Sequence, residues 1–342
     1  MNRTNRHSSS LLKVQLLREG IVESTHQVHA VACDARGRVL ANAGDPELGT
    51  FIRSSLKPFQ AMSVTGTGTL DHFNLTDKDL AIICSSHHGS IEQTRQVFNI
   101  LWRCDVDPAA LQCPVPQDKT TPLAHNCSGK HAGMLAVCKQ KGWSLDGYIQ
   151  RSHPVQKLVA SRIAELLGMP ADEFICAHDS CGVPTYLMQL SQMATLFAKL
   201  TSGKSLEMER IVRAMTHYPE MISGPEGFDT QLMQLTEGEL VSKAGAEGVQ
   251  CIGRVGEGMG IAIKSVDGSK RAKYATAVYL LKQFGWITPD VSEILSDKFM
   301  MPGNYTRIEV VGEMSMIYRV LAAFKNTFKE SPTFLEVTRY TC

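Results

Sequence analysis

The order of strand-like and helix-like patterns constrains the fold of this chain most. β-rich patterns cover residues 25–34 and 38–43, and the turn Asp34-Ala35-Arg36-Gly37 between them predicts a hairpin. Helical patterns then dominate, and strand patterns return at residues 239–243 and 260–266. We therefore expect a mixed α+β fold, with a sheet built from both chain ends around a helical region, rather than regular βαβ repetition. Hairpin pairing of this kind makes the sheet antiparallel.

Periodicity, caps and stop signals predict the helices. The first is short and carries Lys57, and the second covers residues 76–84 and begins at the capping box Thr76-x-x-Asp79. The further predicted helices cover residues 91–104, 128–140, 154–167, 186–200, 207–217 and 273–284. Residues 306–311 alternate like a final strand, and residues 316–328 place apolar side chains on one helical stripe. We expect one two-lobed domain over residues 1–312 and an amphipathic extension over residues 313–342.

Charge and hydropathy exclude several partners. With 35 basic and 34 acidic side chains, the chain has no net field to attract nucleic acid or an anionic membrane. The apolar stretch near the N-terminus is broken by Lys13, Arg18 and Glu19, so it lacks the core of a signal peptide. No run of about 18 apolar residues is present to span a bilayer. We expect a cytoplasmic protein whose 10 scattered cysteines are reduced.

Ser54 and Lys57 lie three residues apart where an extended segment gives way to a helix. That spacing stacks a hydroxyl and an amine on one helical face, as a nucleophile and its base require. The same pair arises easily by chance as a first-turn serine and a solvated lysine. The interpretation therefore depends on other reactive segments in the chain.

Three polar loops and one late turn supply such segments. Ser86-His87-His88-Gly89 is a hydroxyl- and imidazole-rich loop, and residues 125–133 place an amide, a thiol, an amine and an imidazole at a helix start. Cys127 and Cys181 are a soft pair suited to zinc, although two sulfurs alone are a weak signal. The alternative for these loops is local capping by Asn126 and similar side chains. Lys243-Ala244-Gly245 follows a late strand, as in acyl-transfer enzymes with Ser-x-x-Lys.

In this order, the segments resemble the asparaginase II family of the Rhizobium etli type, from about the first strand to about residue 312. The segments that carry the resemblance are Arg53-Ser54-Ser55-Leu56-Lys57-Pro58, Ser86-His87-His88-Gly89, Asn126-Cys127-Ser128-Gly129-Lys130-His131, Asp179-Ser180-Cys181-Gly182-Val183-Pro184, Ser223-Gly224 with Phe228-Asp229-Thr230, and Lys243-Ala244-Gly245-Ala246-Glu247-Gly248. The resemblance implies a fold similar to serine β-lactamases and glutaminases. It also implies a homodimer that hydrolyses L-asparagine to L-aspartate and ammonia.

The resemblance further implies roles for individual residues. Ser54 and Lys57 match the family's first Ser-Lys tandem, and Ser86 matches the serine of the second. Lys243 completes the second tandem, with Lys264 as the alternative because it also follows a late strand. The residues that match the zinc site are Cys127, Lys130 and Cys181, and those expected at the substrate are Arg53, His87, Asn126, His131 and Asp179.

A serine hydroxyl needs a base to become a nucleophile at neutral pH. Lys57 can act as that base if its ordinary pKa of about 10.4 is lowered by burial or by cations such as Arg53 and Lys243. We favour Ser54 as the attacking group, with Ser86 relaying protons. Zinc is then expected to organise the pocket and the charged end of the substrate, because the nucleophile is already supplied.

Two other functions stay open at this point. A serine β-lactamase or penicillin-binding enzyme also combines Ser-x-x-Lys with a late Lys-x-Gly, and labelling of Ser54 by a β-lactam without asparagine hydrolysis would favour it. A non-enzymatic zinc or redox-sensing protein built on Cys127 and Cys181 predicts metal binding without turnover. Preference for asparagine or glutamine is also open, since one methylene gives about 1–3 kcal/mol of discrimination.

Overall fold

The computed structural model describes residues 9–316 of the chain. Its strands are β1 (Leu12–Arg18), β2 (Ile21–Asp34), β3 (Val39–Ala43), β4 (Gly49–Phe51), β5 (Cys176–His178), β6 (Pro184–Gln189), β7 (Leu240–Ala244), β8 (Val249–Arg254), β9 (Met259–Ser265), β10 (Thr306–Val311) and β11 (Ser315–Met316). Its α-helices are α1 (Lys57–Gln60), α2 (Met62–Thr65), α3 (Thr69–His72), α4 (Asp77–Cys84), α5 (Ile91–Arg103), α6 (Ser128–Lys141), α7 (Pro154–Leu167), α8 (Leu190–Leu200), α9 (Leu206–His217), α10 (Pro219–Ser223), α11 (Phe228–Leu235), α12 (Lys270–Gln283) and α13 (Pro289–Phe299). Short 3-10 turns cover Arg53–Leu56, Pro108–Ala110, Pro122–Ala124 and Ala171–Glu173.

The main sheet is antiparallel and joins both ends of the chain. Its strand order is β10-β1-β2-β9-β8-β7, with β3 on β2 and β11 on β3. The 14-residue strand β2 is long enough to pair with β1 through its first half and with β3 and β9 through its second half. Because β1 lies between β2 and β10, strands from opposite chain ends are neighbours. The predicted fold class is confirmed.

Helices cover both faces of this sheet. Side chains alternate along β2, so that Val31 and Cys33 pack in the cluster of the helical region, whereas Ala30 and Ala32 pack in a second cluster with α12. Helix α8 lies on one face and α12 on the other. β7 forms one edge of the sheet and contacts both α11 and the 3-10 turn before α1. The helical region and the sheet therefore meet at Lys243.

A second, three-stranded sheet corrects one prediction. The helix predicted over residues 186–200 is wrong at its start, because β6 runs to Gln189 and α8 begins at Leu190. β6 pairs with β4 on one side and with β5 on the other, and it buries Thr185 and Tyr186. Pairing on both sides outweighs the helical periodicity that continues into this segment.

Most other predicted elements are confirmed within about two residues. The hairpin closes with a hydrogen bond from Gly37 N to Asp34 O, and Thr76 and Asp79 form the expected capping box. The late strands are β7 and β9, and the last is β10. The elements that were not predicted include strands β1, β4, β5 and β8 and helices α11 and α13. Met316, where the amphipathic helix was predicted to begin, ends β11, and the rest of that predicted helix lies outside the described residues. The boundary at residue 312 stays a prediction. Between residues 9 and 316, no helix has the length and apolar character needed to cross a membrane.

Candidate active site

The turn that carries Ser54 is held against the second sheet. β4 leads into the 3-10 turn Arg53–Leu56, and α1 then begins at Lys57. Arg53 has a φ of 53°, in the left-handed region that non-glycine residues seldom adopt. Its backbone N–H donates to Thr185 Oγ1 at 3.1 Å, which fixes the turn on β6. Ser54 is half-buried, and within residues 9–316 its hydroxyl makes no hydrogen bond to another protein group.

Two lysines from distant parts of the chain meet at the Ser86 hydroxyl. Lys57 Nζ lies 3.1 Å from Ser86 Oγ, and Lys243 Nζ lies 2.9 Å from the same oxygen. Both lysine side chains have 0% exposure, whereas Ser86 is half-buried. Lys57 Nζ also donates to the carbonyl oxygens of Ser85 and Asn126. Each amine thus faces Ser86 from inside the protein.

Burial makes these amines easier to deprotonate. Desolvation lowers the pKa of Lys243 to about 8, although the carboxylate of Asp229 opposes the change. Desolvation also lowers the pKa of Lys57. Lys57 Nζ has three oxygen atoms within hydrogen-bond distance, so in its neutral form it can donate to the two carbonyl oxygens and accept from the Ser86 hydroxyl.

The Ser86 hydroxyl is placed to pass a proton between the two lysines. A hydroxyl donates one hydrogen bond and accepts others, so Ser86 can donate to a neutral Lys57 while it accepts from a protonated Lys243. The alternative lysine lies elsewhere, since Lys264 Nζ donates to the carbonyl oxygens of Glu247 and Ser265. Of the two late lysines, Lys243 is the one that contacts Ser86. This arrangement is suited to general acid–base chemistry.

A group of possible metal ligands lies beside the lysines. One ligand atom each from Cys127, Asp179 and Cys181 lies within 4.8 Å of the others. Cys127 caps the start of α6, and the turn between β5 and β6 supplies the other two residues. A hydrogen bond with the Cys181 thiol is the largest cause of a lowered pKa at Cys127, and burial opposes it. Two sulfurs and a carboxylate oxygen are donors that zinc accepts, and the residues therefore fit such an ion.

Lys130 is a buried cation next to these sulfurs. It lies one turn after Cys127 on α6, and its side chain hydrogen-bonds Cys181. Desolvation favours the neutral amine, but the nearby charges of Cys127, Cys181 and Asp179 outweigh it and raise the pKa of Lys130. An amine must lose its proton to bind a metal, so the predicted role of Lys130 as a ligand requires metal binding to displace that proton.

An ion pair links the metal group to the turn of Ser54. Arg53 Nε donates to Asp179 Oδ1 at 2.8 Å, and a second guanidinium nitrogen donates to Ser180 Oγ at 3.1 Å. The Asp179 side chain is 8% exposed and that of Arg53 is 22% exposed. Arg53 and Asp179, both predicted to contact the substrate, therefore bind each other in this structure.

His87 and His131 are both buried. The Gly89 N–H donates to His87 Nδ1 at 3.0 Å, and His87 Nε2 lies 2.8 Å from Ser128 Oγ. Both nitrogens of His87 are thus engaged within the loop, and desolvation lowers its pKa to about 3. His131 Nδ1 lies 2.6 Å from the Tyr148 hydroxyl, and Nε2 has no hydrogen-bond partner among the described residues. His131 keeps a free nitrogen, whereas His87 does not.

Asn126 contributes through its backbone. Its side chain is exposed, and its carbonyl oxygen accepts a hydrogen bond of 3.0 Å from Lys57 Nζ. The role predicted for it at the substrate stays a prediction.

Sequence reasoning assigned no role to Asp229 or Lys273, two buried charges behind Lys243. The motif Phe228-Asp229-Thr230 contains the carboxylate, but a single carboxylate at the start of a helix is equally typical of a helix cap. A lysine inside the apolar pattern of α12 was the other available signal. Neither sequence signal indicates which strand the side chain of Asp229 or Lys273 would contact.

Comparison with known proteins places these residues in a family. Residues 14–316 match the family described as L-asparaginase II. A comparison with curated protein sequences finds no match. Among solved structures, Mglu in its native form is 15% identical with a TM-score of 0.45, over 76% of this chain and 65% of that chain. A second Mglu structure is 14% identical with a TM-score of 0.47, over 81% and 68%. A β-lactamase from Mycobacterium bovis is 11% identical with a TM-score of 0.35, over 80% and 95%. The chain thus spans 65% of the length of the native Mglu chain.

Proposed function

The chain belongs to the L-asparaginase II family, and from that premise we propose that it hydrolyses the side-chain amide of L-asparagine to L-aspartate and ammonia. The observation that carries the proposal is the Ser86 hydroxyl between the amines of Lys57 and Lys243. Buried amines with lowered pKa values supply the base that an amidase with a serine nucleophile requires.

In the proposed mechanism, Ser54 is the nucleophile. Lys57 Nζ contacts Ser86 in this structure, so the proposal requires that amine to turn towards Ser54 when the substrate binds. The Ser54 proton then passes to neutral Lys57 as Ser54 Oγ attacks the amide carbon of the substrate. The C–N bond then breaks, and the departing nitrogen receives a proton from Lys243 through the Ser86 hydroxyl. This step leaves ammonia and an aspartyl ester on Ser54. Water hydrolyses the ester by the same groups in reverse order, and the sum is asparagine plus water giving aspartate plus ammonia.

Two features support Ser54 over Ser86 as the attacking group. The Ser54 hydroxyl is half-buried and has no protein partner among the described residues, so it is available to a substrate. Ser86 is occupied by two amines, as a relay requires. The left-handed backbone of Arg53 supports the same assignment, because strained residues are common next to reacting groups.

We also propose that Cys127, Asp179 and Cys181 bind zinc, with Lys130 as a further ligand. When bound, zinc would attract the charged end of the substrate and order the pocket. Arg53, His131 and Asn126 are proposed to contact the substrate, and His87 to hold the loop of Ser86. The homodimer and the cytoplasmic location stay predictions, and light scattering tests the first.

Ammonia release from asparagine and glutamine tests the function. We expect turnover by the wild type, a loss of at least about 10³-fold in Ser54→Ala and about 10²–10⁴-fold in Ser86→Ala. Quenched samples analysed by intact mass should show an aspartyl adduct on Ser86→Ala and none on Ser54→Ala. The matched control is Ser90→Ala, which removes a hydroxyl that caps α5. Full activity in Ser54→Ala would refute the nucleophile assignment, and inactive wild type with an adduct from a β-lactam would favour a β-lactamase instead.

A further inference from the structure

Asp229 is a buried carboxylate that accepts hydrogen bonds from two neighbouring strands, β7 and β8. It lies in the first turn of α11 and has 1% exposure. Oδ1 accepts hydrogen bonds from Ser242 Oγ at 2.7 Å and from Gln250 Nε2 at 2.9 Å. Oδ2 accepts one from the backbone N–H of Ala244 at 2.9 Å. A buried carboxylate that accepts three hydrogen bonds is fixed in place.

These bonds lie on either side of Lys243. Ser242 precedes Lys243 and Ala244 follows it, so Asp229 holds the strand at both neighbours. Lys243 Nζ lies 3.8 Å from Asp229 Oδ2, beyond a direct hydrogen bond but close enough for a charge interaction between two buried side chains. The carboxylate therefore fixes both the position and the charge of this amine.

Lys273 stabilises the turn between β7 and β8, which follows Lys243 in the chain. Its amine donates to the carbonyl oxygens of Gly245 and Val249, which close the β7–β8 turn. Desolvation lowers the pKa of Lys273 to about 8, and Asp229 opposes that change as it does at Lys243. One carboxylate is thus shared by two buried amines.

Charged and titratable groups face Lys243 from each element packed around it. They are Lys57 on α1, Cys84 on α4, Cys127 at the start of α6, Asp229 on α11 and Lys273 on α12. The two lysines disfavour a proton on Lys243. Two groups favour that proton, and the carboxylate of Asp229 has a larger effect than the thiol of Cys127. The thiol of Cys84 does not supply a second charge, because burial raises its pKa to about 12.

We propose that Asp229 is a positioning residue that keeps Lys243 protonated and aimed at Ser86. This inference rests on the proposed function, because it assigns Lys243 the role of proton donor. A protonated Lys243 is a buried cation and needs a counter-ion, which the nearby carboxylate of Asp229 provides.

The test is the pH dependence of ammonia release in Asp229→Asn. The alkaline limb of the kcat profile, where Lys243 loses its proton, should move to lower pH by about 1–3 units, because the opposite charge within about 4 Å is gone. Ser242→Ala removes a neutral hydrogen bond from the same carboxylate and should leave the limb in place. The proposal would be overturned if the alkaline limb of the kcat profile moved equally in Asp229→Asn and Ser242→Ala, or moved in neither variant.

A second readout does not depend on activity. Protein with ¹³C-labelled lysine gives a titration curve for each Cε, and Lys243→Arg identifies the signal of Lys243. We expect the wild-type amine to be protonated at pH 7 and to titrate at lower pH in Asp229→Asn, or in Asp229→Ser if the first variant does not fold. A neutral Lys243 in the wild type at pH 7 would refute the inference without any variant. An inactive wild type with the expected titration would refute the proposed function and leave the role of Asp229 standing.

Discussion

Replacing Gly129 by alanine should separate two helices that carry the candidate site. A Cβ at Gly129 would lie 2.0 Å from the carbonyl oxygen of Ile82 and 2.7 Å from its carbonyl carbon, whereas ordinary contact begins at 3.4 Å. The obstacle is the backbone of α4, which cannot rotate away as a side chain can. α6 must therefore move by about 1 Å to accept the methyl group.

The expected decrease in the free energy of unfolding of Gly129→Ala is the difference between two opposing effects. Overpacking a close contact costs about 1–3 kcal/mol, and we expect the upper part of that range because both partners are helix backbones. Alanine returns up to about 1 kcal/mol through its higher helix propensity. The net free energy of unfolding should fall by about 2 kcal/mol. Gly133→Ala on the same helix is the matched control, since its Cβ would meet the Ile83 side chain at 2.9 Å, and should stay within about 1 kcal/mol of wild type.

Urea unfolding at 25 °C measures both variants, and an unchanged m-value shows that stability is what changed. Ammonia release should fall in Gly129→Ala under conditions where the protein is fully folded. The reason is that Gly129 precedes Lys130, while α4 leads to Ser86. Equal stability of the two alanine variants would refute the argument from close approach.

Three further predictions concern other groups. Asp79→Ala should lower the free energy of unfolding by about 3–5 kcal/mol in urea, because the fully buried carboxylate accepts hydrogen bonds from Thr76 and Arg103, whose donors would lose their partner. The pKa of His87 is lowered by burial to about 3 from its ordinary value of 6.5, so the unfolded state binds the proton more tightly. Stability from this residue should therefore fall as the pH drops from about 6.5 towards 3, by up to about 1.4 kcal/mol per pH unit, and His87→Gln should lose that part of the slope in pH-dependent melting. Cys127→Ser should lower zinc content in equilibrium dialysis, and a zinc content equal to wild type would contradict the assignment of the ligands.

The fold class was predictable because alternation and capping are local signals. The hairpin at Gly37 and the capping box at Thr76 depend on residues close in sequence, and both were found. β1 and β8 were missed for a physical reason. The alternation of β1 is interrupted where its register with β2 shifts between Leu16 and Leu17, and β8 is buried along almost its whole length, so it shows no period-two pattern.

The site was predictable as a set of segments and not as a set of contacts. Sequence spacing paired Lys57 with Ser54 on one helical face, but the hydroxyl that Lys57 contacts is Ser86. Lys264 and Lys243 both follow late strands, and their different partners arise from the register of β7, β8 and β9, which no local pattern contains. The contribution of Asp229 could not be predicted either, because its three hydrogen-bond donors come from two strands of the sheet and strand register brings them together.

The chemistry proposed for Ser54 and Lys57 depends on how the helical region and the sheet are joined. Lys57 belongs to a helix of the helical region, and Lys243 belongs to the edge strand of the sheet. Neither amine is buried by its own element alone, and desolvation is the largest cause of the lowered pKa of each. A hydrated Lys57 would keep a pKa of about 10.4 and stay protonated at neutral pH. The Ser-x-x-Lys spacing therefore supplies the groups, whereas the docking of β7 against the turn of Ser54 supplies the dry environment that allows a lysine to act as a base.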